Sequence, residues 1–286
     1  MHPLAIAAVL LAALTHATWN LAAKRAARAR HFVWLYSAGS VLLYLPVVAW
    51  ILVTQRPQFG SLHWLALALT GALHIGYSLL LQAGYRVSDL SLVYPLARGT
   101  GPLLAFVAAT LILGEPASPW SALGVVLVVA GILMVSGLAS AGHKAPRAGI
   151  VLGMLTGVFV AAYTINDGWA VKTLMISPFI VDFSGNLVRL VVLSPMALRD
   201  RAVLRAEAKE FRTPVLTVAL LGPMGYILVL FAMRLAPIGH VAAMRELGTL
   251  IGMYFGARLL KEGVSPLRLG GAVLMVGGVI TLALTG

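Results

Sequence analysis

The chain has 286 residues, 60% of them hydrophobic and 10% charged, and it contains no cysteine. A soluble domain carries about 25% charged residues, so this composition specifies one integral membrane body, and the missing thiols exclude a disulfide framework, a thiolate nucleophile and a thiolate metal site. The formal charge of +12 would suit a nucleic-acid binder, but the basic residues stand in short clusters between apolar runs, where they set topology instead.

A hydrocarbon core about 30 Å thick needs about 20 apolar residues per helix. Ten such runs follow one another, at roughly 4–22, 32–53, 62–83, 91–113, 120–139, 149–171, 179–198, 213–233, 239–260 and 266–285. They are continuous and do not alternate with period two, which disfavours a transmembrane β-barrel. Connectors mostly under about ten residues make successive helices antiparallel. The predicted fold class is all-α, an integral membrane protein of ten transmembrane helices.

The first run has no Lys or Arg before it, while Lys24, Arg25, Arg28 and Arg30 follow, which predicts a retained helix and not a cleaved signal. It carries His16 and Asn20 with Trp19 beside them. The third presents His74, Ser78 and Gln82 at spacings of four, with Tyr77 adjacent. On the fourth, Ser91, Tyr94, Pro95, Arg98, Gly101, Pro102 and Ala105 share one stripe. Each of its prolines removes a backbone donor, which is tolerated at such depth where the backbone lines protein or a wet cavity. The sixth run holds a close-packing stripe, Gly149, Gly153 and Gly157, followed by Tyr163, Asn166 and Asp167. The seventh puts Asp182, Asn186 and Arg189 on one polar face at i, i+4 and i+7. The charged loop from Arg199 to Arg212 reads as a solvated topology determinant; the eighth run brings Tyr226 and the ninth Arg245, Glu246 and a second stripe of Gly248, Gly252 and Gly256.

A charged side chain at the bilayer centre costs about 2.5–3.5 kcal/mol, so each one needs a reason. Arg98 and Arg245 lie roughly 9–10 Å into their helices at 1.5 Å per residue, and Arg189 stands near the centre of its own. Guanidinium groups fork onto carboxylate or phosphate-like oxygens, so the candidate substrate-binding residues are Arg98, Arg245 and Arg189, with Tyr94, Tyr163, Trp19, Asn20, His74, Tyr77 and Asn186 around them. Glu246, Asp182 and His16 are the candidate counter-ions or proton sites. For Glu246 the adjacent guanidinium favours the counter-ion role. Each has a bland alternative: the arginines as structural ties to Glu246, Asp182 or free carbonyls, the aromatics and histidines as packing.

The chain also repeats itself. Tyr94-Pro95-Leu96-Ala97-Arg98-Gly99-Thr100 corresponds loosely to Val241-Ala242-Ala243-Met244-Arg245-Glu246-Leu247 at a spacing of 147, and Leu113-Gly114-Glu115 falls on Leu260-Lys261-Glu262 in the same register. Lys24 and Lys172 end the first and sixth helices at a spacing of 148. The boundaries implied are 1–143 for the N-terminal repeat, helices one to five, and 144–286 for the C-terminal repeat, helices six to ten. An odd helix count inverts the second half, an arrangement in which a transporter's site lies near the midplane between the repeats. Fourteen Lys and Arg residues fall in the odd connectors against three in the even ones, which by the positive-inside rule puts both termini outside.

Together, His16-Ala17-Thr18-Trp19-Asn20…Lys24, Val93-Tyr94-Pro95-Leu96-Ala97-Arg98-Gly99, Leu113-Gly114-Glu115, Met244-Arg245-Glu246-Leu247 and Leu260-Lys261-Glu262 make the chain resemble the ten-helix EamA-type members of the drug/metabolite transporter superfamily. The resemblance covers essentially the whole chain. It implies export of a small metabolite through a central cavity, and cytoplasmic termini, opposite to the charge count.

The expected function is therefore a secondary transporter, an exporter in a bacterial inner membrane, of a small anionic or zwitterionic metabolite such as an amino acid or phosphonate, with alternating access around an Arg-lined cavity. Glu246 or Asp182 is available for a positive group. Its partners are that small molecule, membrane lipid and, as candidate coupling ion, the proton; no nucleic acid, cofactor or metal is expected. A proton-coupled multidrug or cation exporter is the first alternative, opposed by three deep arginines. A membrane-embedded enzyme on lipid-linked substrates is the second, opposed by the lack of HExxH, P-loop or paired-acid motifs.

Overall fold

A computed structural model describes residues 1–26, 28–88, 90–135, 147–251 and 265–285, with the backbone alone for residues 24, 82, 85, 90, 91, 94 and 95. The long apolar runs become α1 (Pro3–Arg25), α2 (Phe32–Gln55), α3 (Ser61–Val87), α4 (Leu90–Leu113), α5 (Pro119–Val135), α6 (Arg147–Lys172) and α7 (Pro178–Arg199). A short charged helix, α8 (Arg201–Glu210), precedes α9 (Arg212–Leu235), α10 (Ile238–Met244), α11 (residues 247–251) and α12 (Pro266–Thr285). Among the described residues eight of these, α1 to α4, α6, α7, α9 and α12, are long and apolar enough to cross a membrane. In lipid a helix satisfies its backbone internally, so large side chains such as Leu111 and Leu284, 78% and 80% exposed, face outward without the penalty water would impose.

Two expectations are corrected here. The loop from Arg199 to Arg212 contains α8, whose Glu207 is buried and accepts the backbone N–H groups of Arg30 at 2.7 Å and His31 at 2.9 Å, holding the start of α2. The ninth run is not one helix: α10 ends at Met244, Arg245 and Glu246 form a turn, and helix resumes at 247. Around the break the backbone tightens to i→i−3 bonds, Glu246 N–H to Ala243 O and Gly248 N–H to Arg245 O. The second halves of the expected glycine stripe, Gly252 and Gly256, lie outside the described residues.

Packing is reciprocal between the two parts of the chain. α1 packs on α9 and α3 on α6; α2 packs on α9 and α3 on α7; α2 meets α7, α4 meets α10, and α5 meets α12. Small residues allow these approaches. A Cβ at Gly157 would stand 2.6 Å from the Thr100 Cβ and 3.1 Å from the Ala97 carbonyl of α4. Between α5 and α12 the backbones themselves touch: a Cβ at Gly131 would lie 2.5 Å from the Gly271 carbonyl, and one at Gly278 would lie 2.6 Å from that of Gly124.

On the face that carries the α4–α5 and α6–α7 connectors, a dense apolar core and a polar clasp close the bundle. The Lys172 ammonium, at the end of α6, meets Glu115 Oε1 at 2.6 Å and donates to the Ala236 carbonyl at 3.1 Å. Glu115 Oε2 accepts the Gly239 N–H at 3.3 Å, and Arg234 donates to the carbonyls of Val171, Met175 and Ile176.

Candidate functional site

Beneath that core, α1, α2, α3, α4, α6, α7, α9 and the turn after α10 line a partly open cavity of about 200 Å³. Drug-sized ligands occupy sites of about 300–1,000 Å³, so this one suits a small metabolite. Three guanidinium groups, Arg98, Arg189 and Arg245, and one carboxylate, Asp182, are in its lining.

The turn at Arg245–Glu246 organises the first cluster. Glu246 is fully buried and does not reach the cavity; its carboxylate lies between two arginines, with Arg98 Nε 2.8 Å from Oε2 and Arg245 Nε 3.4 Å from Oε1. One negative charge thus serves two positive ones contributed by α4 and by the break after α10. Arg98 also approaches His16 Nε2 at 3.5 Å, and because a guanidinium only donates, that ring nitrogen is the acceptor. Arg245 stacks 5.8 Å over the Tyr163 ring, and one terminal nitrogen of its guanidinium is buried without an acceptor among the described residues.

A second cluster stands on α7. Arg189 donates to the Tyr36 hydroxyl at 3.1 Å and lies 5.7 Å over that ring. The Asn186 amide donates to Asp182 Oδ2 at 3.0 Å and offers its oxygen to Arg189 at 3.5 Å, so it stands between the acid and the base. The alternative of a direct Arg189–Asp182 ion pair is not formed, since seven residues of helix separate them by about 10 Å of rise.

A third group backs the wall. Asp167 on α6, fully buried, accepts the Thr70 hydroxyl at 2.6 Å, the Asn166 amide at 3.0 Å and the Tyr226 hydroxyl at 2.5 Å. His74 stacks on Tyr163 with centroids 4.3 Å apart, its Nδ1 2.8 Å from the Thr70 carbonyl and 4.0 Å from Asp167. This network fixes the faces that Tyr226, Tyr163 and His74 present to the cavity.

Of the residues singled out in the sequence, His16, Trp19, His74, Tyr77, Arg98, Tyr163, Asp182, Asn186, Arg189 and Arg245 come together in the lining. Asn20 does not: it faces back along α1, where its amide donates to the His16 carbonyl at 2.8 Å. Glu246 is one layer behind, and the side chains of Tyr94 and Gln82 lie outside what is described. Sequence reasoning missed Tyr36 and Ser40, an i, i+4 pair on α2, and Pro223 on α9, all in the lining. The polar tips of Tyr36 and Ser40 at helical spacing were the available signal.

The profile of the EamA-like transporter family matches residues 3–137 and again residues 147–284. A solved protein structure superposes with a TM-score of 0.76 at 15% identity, covering 98% of this chain and 96% of that one, a likeness of fold. No curated protein matches the sequence.

Proposed function

This chain belongs to the EamA-like transporter family of the drug/metabolite transporter superfamily, and we propose that it is a secondary transporter, an exporter in a bacterial inner membrane, of a small anionic or zwitterionic metabolite such as an amino acid or phosphonate. The observation that carries this reading is the unmet donor of Arg245 at the first cluster, among the described residues. Among the described residues Arg98 and Arg245 share the carboxylate of Glu246, and Arg245 keeps a buried donor with no acceptor. A buried donor left unpaired costs about 1–3 kcal/mol, more when charged, and an anionic group entering the cavity supplies the missing acceptor. The substrate-binding set is Arg98, Arg245, Arg189, Tyr163, Trp19, His74, Tyr77 and Asn186.

The transport mechanism we propose is alternating access between two inverted five-helix repeats, 1–143 and 144–286, in a body of ten transmembrane helices. The two profile matches and the reciprocal pairs, α1 on α9 with α3 on α6, support that division. A helix broken at a charged pair beside a central cavity is also how transporters of inverted-repeat design hold ions and polar substrates. In this scheme the Lys172–Glu115 clasp closes one access route and has to part for the other state. A proton gradient is the proposed driving force. Three guanidinium groups against one carboxylate in the lining disfavour a cation exporter.

The test is transport by reconstituted vesicles carrying Arg98→Ala or Arg245→Ala protein at matched incorporation. Loss of flux in each is the expected result; undiminished flux in both refutes the site.

A further inference from the structure

The membrane body holds three carboxylates among the described residues, and their environments differ. Glu246 is held by two guanidinium groups and Asp167 by three neutral donors; both are fully buried behind the cavity wall. Asp182 alone faces the cavity. It also borders a side chamber of about 20 Å³ shared with Thr70, His74, Asn186, Arg189 and Tyr226, room for about one water. Its one side-chain partner is the Asn186 amide on Oδ2, and no cationic group lies within 4.0 Å of it among the described residues. Arg189 reaches it only through Asn186, whose side-chain oxygen it approaches at 3.5 Å, and otherwise rests on the Tyr36 hydroxyl and ring.

A carboxylate at membrane depth whose one cation lies beyond a bridging amide lacks the direct partner that buried charges ordinarily have. The cavity therefore has two poles. Guanidinium groups around Glu246 form one, and on α7 an acid with an uncommitted oxygen forms the other. We infer that Asp182 is the specificity residue for zwitterions, receiving the ammonium group of a substrate whose anionic end rests on Arg98 and Arg245. An ammonium brings three donors. Asp182 Oδ1 accepts one, and the Tyr226 hydroxyl, which spends its proton on Asp167, keeps lone pairs for another. The inference rests on the anion-site reading above and narrows it to molecules carrying both charges.

Matched ligand pairs test it: L-alanine with propionate, L-phenylalanine with 3-phenylpropionate, and 2-aminoethylphosphonate with ethylphosphonate, titrated into detergent-purified protein at one pH with no gradient. A charge-assisted hydrogen bond is worth about tenfold or more in affinity, so the wild type binds the amine-bearing member of a pair at least about tenfold more tightly. Asp182→Asn reduces that ratio to within about twofold while the deaminated acid binds as before. Equal binding of the two members by wild type, or a preference that survives in Asp182→Asn, overturns the inference and leaves the anion site standing. If the variant does not fold, N-acetyl-L-phenylalanine on wild type decides: it loses the tenfold advantage, and binding equal to L-phenylalanine refutes the role of Asp182. Failure of every acid to bind, with or without an amine, refutes the anion site itself.

Discussion

Glu246→Gln isolates the electrostatics of the site. The substitution keeps shape and removes the one charge that Arg98 and Arg245 share at 2.8 and 3.4 Å. With charge centres about 4 Å apart and an effective dielectric of about 20, each pair loses about 4 kcal/mol of attraction. The two guanidinium groups, about 6 Å apart in such a bridge, then repel by about 3 kcal/mol. Relaxation and water entry absorb part of this, and breaking a buried ion pair by removing one partner costs about 3–5 kcal/mol in practice. At about 2 °C per kcal/mol for a chain of this size, the variant melts roughly 6–10 °C below wild type in the same detergent. An anion should restore much of the loss. A ligand at 100 times its dissociation constant adds about 2.7 kcal/mol, and the variant offers it two cations no longer bridged by Glu246. Melting curves with and without sulfate measure both effects. A variant melting within about 2 °C of wild type, or gaining no more from sulfate than wild type does, would show that Glu246 is not the shared counter-ion.

Other variants probe the surroundings. Glu115→Gln removes the ionic clasp to Lys172, and it should raise the rate at which a thiol reagent, added from the face of the α4–α5 connector, labels Ser40→Cys in the cavity; the native chain has no cysteine to give background. An unchanged rate would mean that the clasp does not hold the route shut. Thr70→Val takes one donor from Asp167 and should cost about 1–3 kcal/mol, read as a fall in melting temperature without a change in anion preference. Gly131→Val would drive a side chain into the Gly271 carbonyl, where a Cβ already comes within 2.5 Å, and should abolish recovery of folded protein, whereas Gly277→Ala, with nothing within 4 Å, should be neutral.

The helices and most of the cavity were legible because lipid makes unusual demands. An arginine inside an apolar run has few places to go, so Arg98, Arg189 and Arg245 pointed inward, and the spacing of Asp182, Asn186 and Arg189 gave the polar face of α7 directly. Tyr36 and Ser40 escaped notice because α2 carries no charged residue to mark a polar face, and a tyrosine or serine there reads equally as packing. The break at Arg245–Glu246 could not be read either: no proline or glycine occupies the turn, and a regular helix would have sent the two side chains about 100° apart. The turn is tightened instead, and Glu246 reaches both arginines from behind the wall. Which oxygens are spent and which remain open is a property of three-dimensional pairing across helices, and no spacing along the chain encodes it.

The seam between α5 and α12 limits how such a protein can move. Gly124 faces Gly278 and Gly131 faces Gly271 with a carbonyl oxygen of the partner helix within 3.0 Å of where each Cβ would stand, and none of the described residues of these helices lines the cavity. Sliding one past the other by a turn would put bulky neighbours where only hydrogen atoms fit. The pair is thus locked against sliding, and a longer side chain placed there would part the two helices and cost the fold before it reached the cavity.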